Sequence, residues 1–122
     1  MRNLIDIGDL SVQELQELID TANDIIARPE AYSEKCRGKK LATLFFEPST
    51  RTRLSFEAAM YELGGHVIGF SGANNSSAAK GESLADTACT VSSYADIIAM
   101  RHPLAGSALA ASRRAEIPII NA

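Results

Sequence analysis

Four short apolar runs, each followed or preceded by a stretch of helical length, constrain this chain more than any other feature. Residues 40–46, 66–70, 96–100 and 117–120 read as strands. Between the first two, Phe56, Ala59, Met60 and Leu63 recur at i, i+3, i+4 and i+7, the spacing of a helix with one buried face. Gly64-Gly65 supplies that helix with a left-handed stop. A second helix over about 82–94 is predicted to bury Leu84, Ala88, Val91 and Ala95. Pro103 reads as the first position of a third, alanine-rich helix reaching Ala115. Strands alternating with helices of crossover length imply a parallel α/β sheet, and apolar strands of this kind suit burial on both faces. Ahead of them, Ser11-Val12-Gln13-Glu14 forms a capping box. Leu15, Leu18, Ile19, Ala22, Ile25 and Ile26 then define one apolar helical face, ended by Pro29. The expected fold is α/β: a three-layer α/β/α domain with a four-stranded, mainly parallel sheet and an N-terminal helix.

At 122 residues the chain is expected to be one domain, 1–122, with a real core. A net charge of −3 argues against nucleic acid, whose non-specific binding rests on clustered Lys and Arg. No apolar stretch approaches membrane-spanning length, and the first residues lack the apolar core of a signal peptide, so a cytoplasmic protein is expected. Cys36 and Cys89 fit neither a metal nor a redox spacing and read as reduced, non-catalytic thiols. With only His66 and His102 besides, neither a metal nor another cofactor is expected.

In parallel α/β sheets, ligands collect at the carboxyl ends of the strands. The unusual polar residues fall there: Ser49 to Arg53 after the first strand, a Gly/Asn/Ser/Ala-rich loop from Ser71 to Gly81 after the second, and Arg101 after the third. Ser49-Thr50-Arg51-Thr52-Arg53 breaks a local rule, because two arginines in the first turn of a helix face the positive end of its dipole. Capping explains the hydroxyls but not the arginines. A bound anion reverses the sign of the conflict, with N–H groups, hydroxyls and a guanidinium all directed at one phosphate. At about 100° per residue, Arg51 and Arg53 point to nearly opposite sides. Arg51 is the better anion ligand, and Arg53 is expected to pair with Glu57 at i+4.

The stretch from Phe45 to Glu57, reading Phe-Phe-Glu-Pro-Ser-Thr-Arg-Thr-Arg-Leu-Ser-Phe-Glu, closely resembles the carbamoyl phosphate signature of the carbamoyltransferases. Lys80-Gly81-Glu82-Ser83-Leu84-Ala85-Asp86-Thr87 and Met100-Arg101-His102-Pro103 resemble the aspartate rather than the ornithine branch. The resemblance implies transfer of a carbamoyl group from carbamoyl phosphate to the amino group of L-aspartate, giving N-carbamoyl-L-aspartate and phosphate in pyrimidine biosynthesis. It implies that Ser49, Thr50, Arg51 and Thr52 hold the phosphate, and that Thr52 and Arg101 polarise the carbamoyl carbonyl. It also implies a homotrimer in which Ser76 and Lys80 reach the neighbouring subunit's site, and it leaves room for a regulatory chain. His102 reads as a cap or packing residue, since the family's functional histidine lies in a His-Pro-Thr-Gln segment. Glu47 reads as a hinge or closure contact.

Relative to the family, the chain stops at Ala122, before the His-Pro-Thr-Gln segment and the aspartate-binding domain. The C-terminal helix that packs back onto this domain in the family is also missing, so exposed apolar surface is expected. The rival reading is a non-catalytic trimeric assembly or regulatory module of the same origin. The 122-residue chain is therefore expected to show negligible turnover with carbamoyl phosphate and L-aspartate. A colorimetric assay that detects robust formation of carbamoyl-aspartate would overturn this.

Overall fold

The run Lys40–Phe45 forms strand β1, and every residue of it after Lys40 is buried. A strand covered on both faces must lie inside a sheet. It pairs in parallel with β2 (His66–Ser71) on one side and with β3 (Ile97–Arg101) on the other, and β4 (Ile119–Asn121) follows beyond β3. The order is β2-β1-β3-β4, and all three pairings are parallel. This is a computed structural model, and it describes residues 1–72 and 83–122.

Alternate strand residues serve opposite layers. Ala42, Leu44, Ile98, Met100 and Ile119 join Ala88, Ala108 and Ala111, which belong to helices α3 (Leu84–Ser92) and α4 (Ser107–Ser112). The small alanines let both helices sit close to the sheet and fill this layer densely. On the other face, Met60 of helix α2 (Thr50–Glu62) packs with Leu41 and Ala99. The expected three layers are thus present, with the sheet wholly rather than mainly parallel.

The two faces close unequally, and here the helical spacing predicted too much. Of Phe56, Ala59, Met60 and Leu63, only Met60 is buried. Between α2 and the amino ends of β1 and β3 lies an open groove of about 490 Å³, lined by Cys36, Leu41, Phe56, Met60, Leu63 and Ile97. The N-terminal helix α1 (Val12–Ala27) carries the predicted capping box, with Ser11 and Glu14 each bonded to the other's backbone N–H. None of its residues is buried, and Leu18, Ile19 and Ile26 are exposed. Its ends carry polar ties. Glu14 pairs with Arg2, which pulls its carboxyl down to about 2, and Asp24 receives Arg28 and Tyr32, which hold its carboxyl at about 2.

Other expectations shift for identifiable reasons. β2 is an edge strand, so its residues are half-buried or exposed rather than covered on both faces. Leu84 and Val91 are only partly buried against the α3 layer, while Ala88 and Ala95 are fully within it. The third predicted helix starts at Ser107 behind an N-cap Gly106, not at Pro103, because His102 to Leu104 are used in a turn.

Gly69 shows how tightly β2 approaches β1. It lies opposite Thr43 in register at φ +145°, and a Cβ there would sit 2.1 Å from the Thr43 carbonyl oxygen. Thr43 itself is fully buried, and its hydroxyl donates to Glu57 Oε1 of α2 at 2.9 Å. Gly69→Ala is expected to destabilise the fold by roughly 3 kcal/mol, combining backbone strain with the clash. A urea titration placing the variant's midpoint at the parent value would contradict this.

Candidate active site

β1 and β3 are neighbours, yet the chain leaves β1 for α2 on one face and β3 for α4 on the other. Where adjacent strands send their connections to opposite faces, a crevice opens beyond their carboxyl ends. Ser49 and Arg101 sit at its two sides and are joined: Arg101 Nη1 donates to Ser49 Oγ at 3.2 Å. Arg101 Nε donates to Glu47 Oε1 at 2.7 Å. Its backbone is fixed as well, since the Phe46 N–H donates to the Arg101 carbonyl at 2.8 Å.

The start of α2 is built as an open acceptor of negative charge. Ser49 occupies the N-cap position but makes no side-chain capping bond; its hydroxyl is directed to Arg101 instead. The first bond of the helix runs from the Arg53 N–H to the Ser49 carbonyl at 3.0 Å. The N–H groups of Thr50, Arg51 and Thr52 therefore have no partner among the described residues. The first turn carries no acidic residue to offset them. Arg51 is exposed and has no ion-pair partner among the described residues, and Thr52 is half-buried beside it. An anion at this point would meet backbone N–H groups, hydroxyls and two guanidinium groups within one crevice.

Arg53 behaves as its helical position predicts. Its Nε donates to Glu57 Oε1 at 2.9 Å, with both side chains partly buried. Sequence reasoning missed that the same carboxylate oxygen also accepts the Thr43 hydroxyl, so the pair anchors α2 to the central strand. The available signal was a threonine inside an otherwise apolar strand. Glu47, read as a hinge or closure contact, is here the ion partner of Arg101. Ser76 and Lys80 lie outside the described residues. The large apolar groove beside α2 lies at the opposite, amino end of the strands and is no part of this crevice. Among the described residues, no three His, Cys, Asp or Glu side chains converge as metal ligands would.

Comparison with known proteins gives the family of the chain as a whole. A family model described as "Aspartate/ornithine carbamoyltransferase, carbamoyl-P binding domain" matches residues 2–122. The aspartate carbamoyltransferase catalytic subunit of Lachnoclostridium phytofermentans is 62% identical over 122 residues, which is all of this chain and 40% of that protein. The catalytic subunit of M. jannaschii aspartate transcarbamoylase superposes with a TM-score of 0.91 at 48% identity, covering 100% of this chain and 42% of that one. Aspartate transcarbamoylase from Trypanosoma cruzi, solved in complex with carbamoyl phosphate and aspartate, gives a TM-score of 0.90 at 37% identity, covering 98% of this chain and 40% of that one. The chain thus spans about 40% of the length of the curated relatives it matches.

Glu47 competes with any anion for Arg101. Glu47→Gln keeps the side chain's shape and removes its charge. Inorganic phosphate titrated at low salt and followed by phosphorus NMR is expected to bind about three- to tenfold tighter to this variant. Equal or weaker binding would remove Glu47 as a competing charge.

Proposed function

The chain belongs to the aspartate/ornithine carbamoyltransferase family, and we propose that residues 1–122 form the carbamoyl phosphate-binding domain of an aspartate carbamoyltransferase. The observation that carries this reading is the union of an uncapped helix start with an arginine from the adjacent strand, through the Ser49–Arg101 hydrogen bond. In this reading the phosphate of carbamoyl phosphate lies at the start of α2. It takes the N–H groups that have no partner among the described residues, together with Ser49, Thr50, Arg51 and Thr52, and Arg101 turns from Glu47 toward the ligand.

The reaction proposed for the enzyme follows from what such a cradle can stabilise. The α-amino nitrogen of L-aspartate attacks the carbamoyl carbon, and negative charge builds on the carbonyl oxygen. Thr52 and Arg101 supply donors there. The bond from carbon to the phosphate oxygen then breaks, and the electron pair leaves with phosphate. The amine loses one proton, which the departing phosphate can accept. The products are N-carbamoyl-L-aspartate and phosphate, as pyrimidine biosynthesis requires. Catalysis of this kind rests on orientation and preorganised charge.

The finer expectations belong to the same reading. Ser76 and Lys80 serve the site of a neighbouring subunit in a homotrimer, a regulatory chain is an optional further partner, and the enzyme works in the cytoplasm. Among the described residues no helix is long and apolar enough to cross a membrane.

Calorimetric titration of this chain with carbamoyl phosphate tests the reading directly. Binding is expected, and Arg51→Ala and Arg101→Ala are each expected to weaken it about ten- to a hundredfold, the scale of a charge-assisted contact. Titration showing no loss on Arg51→Ala would take Arg51 out of the site. No binding by the unaltered chain would refute the carbamoyl phosphate assignment.

A further inference from the structure

His102 follows Arg101 directly, and its imidazole is engaged on two sides. Nδ1 accepts the Leu104 N–H at 3.0 Å, a bond from a side chain to the backbone two residues on. That is the pattern by which asparagine and aspartate hold turns. The direction of a backbone N–H is fixed, so Nδ1 must carry the lone pair and Nε2 the proton in the neutral ring. The Ser107 hydroxyl lies 3.0 Å from the same nitrogen and donates to the Leu104 carbonyl at 2.7 Å, which ties the turn to the start of α4. On its other side the imidazole packs on the Phe46 ring, with centroids 5.1 Å apart and planes at 50°. Phe46 in turn meets Phe70 edge-on, with centroids 5.1 Å apart.

The placement of these contacts matters for the crevice. Phe46-Glu47 and Arg101-His102 are consecutive pairs on facing chain segments. Glu47 and Arg101 form the ion pair, while Phe46 and His102 form the ring contact, and the Phe46 N–H bonds the Arg101 carbonyl. Arg101 ends its strand there, so what holds the following turn also sets where its guanidinium originates.

We propose that His102 is a positioning residue for the anion site: its Nδ1, by accepting the Leu104 N–H, holds the turn after β3 and so fixes Arg101 against the start of α2. This rests on the carbamoyl phosphate reading above and adds a residue that does not touch the ligand. Asparagine is the informative replacement, because its Oδ1 stands close to where Nδ1 stands and makes the same bond to the residue two ahead.

The test is carbamoyl phosphate titration of the unaltered chain, H102A and H102N, with thermal melts alongside. H102A is expected to bind roughly five- to tenfold more weakly, the fold-change equivalent to one net hydrogen bond. H102N is expected within about twofold of the parent. Parent-like affinity in H102A, or equal weakening in both variants, overturns the positioning role while leaving the carbamoyl phosphate reading intact. No binding by the unaltered chain sinks that reading and the positioning role with it. If H102A does not fold, His102→Gln replaces it: its acceptor lies one carbon too far for the turn, so it should weaken binding where H102N does not. A second readout is independent of ligand. Nitrogen-15 NMR should show Nδ1 as the unprotonated nitrogen, and a protonated Nδ1 in the neutral ring would refute the bond on which the proposal stands.

Discussion

Everything at the candidate site of this molecule depends on the central pair of strands, β1 and β3, sending their chains to opposite faces. A parallel strand must be followed by a crossover, and a right-handed crossover places its helix on a face set by the direction of travel. From β1 the chain moves outward to the edge strand β2, so α2 covers one face. From β3 it moves outward the other way to β4, so α4 covers the opposite face. Neither helix can cover the crevice between the two strand ends. Polar groups there stay accessible however well the layers pack, and Ser49 and Arg101 occupy that position.

Charge then decides what the crevice can hold. An arginine in the first turn of a helix is unfavourable by a few tenths to about 1 kcal/mol, and α2 carries two without a first-turn acid. The two are handled differently. Arg53 is neutralised internally by Glu57, whose carboxylate also takes the Thr43 hydroxyl from the middle of β1. Arg51 has no such partner among the described residues and faces solvent. Arg101 is neutralised by Glu47, a partner carried on the loop that leads into α2. Among the described residues, therefore, Arg101 has an acidic partner and Arg51 has none. Set against the described residues, an anion entering at Arg51 meets a cation with no acidic partner first and a competed one second.

How far the sequence foretold this varies with the kind of interaction. The alternation of apolar runs with helical spacing gave the α/β class and all four strands, because period and length are local properties. Residue chemistry at the helix start singled out Ser49 to Arg53, because charge against a dipole is also local. The Arg53–Glu57 pair followed from helical geometry alone. The bond from Thr43 to Glu57 and the link from Arg101 to Ser49 and Glu47 were not legible, since each joins residues brought together only by strand order. The exposed state of α1 and the open side of α2 were not legible from spacing either. Periodicity reports which face of a helix is apolar, and what covers that face is settled by tertiary structure. The same holds for Pro103: proline suits a helix start, but the His102 side chain had already committed the next two residues to a turn.

The two sides of the crevice hang from different supports. Ser49 and the N–H groups without a partner among the described residues belong to α2, which is fastened to the sheet by one polar tie, Thr43 to Glu57, and by Met60 and the half-buried Phe56 packed with Leu41, Val67, Ile97 and Ala99. Arg101 belongs to the layer of α3 and α4, where alanines pack densely and where the Phe70, Phe46 and His102 rings fill the space beneath the strand ends. A buried hydrogen bond loses its strength steeply with angle and distance, whereas ring packing tolerates small shifts. The α2 side thus combines a directional bond with a layer that leaves a groove open, whereas the layer of α3 and α4 is closed. An anion bridging Thr50 to Thr52 and Arg101 would join the helix beside the open groove to the densely packed layer. Its binding energy would then be spent partly in fixing α2, which links ligand affinity to a threonine and a glutamate that never meet the ligand.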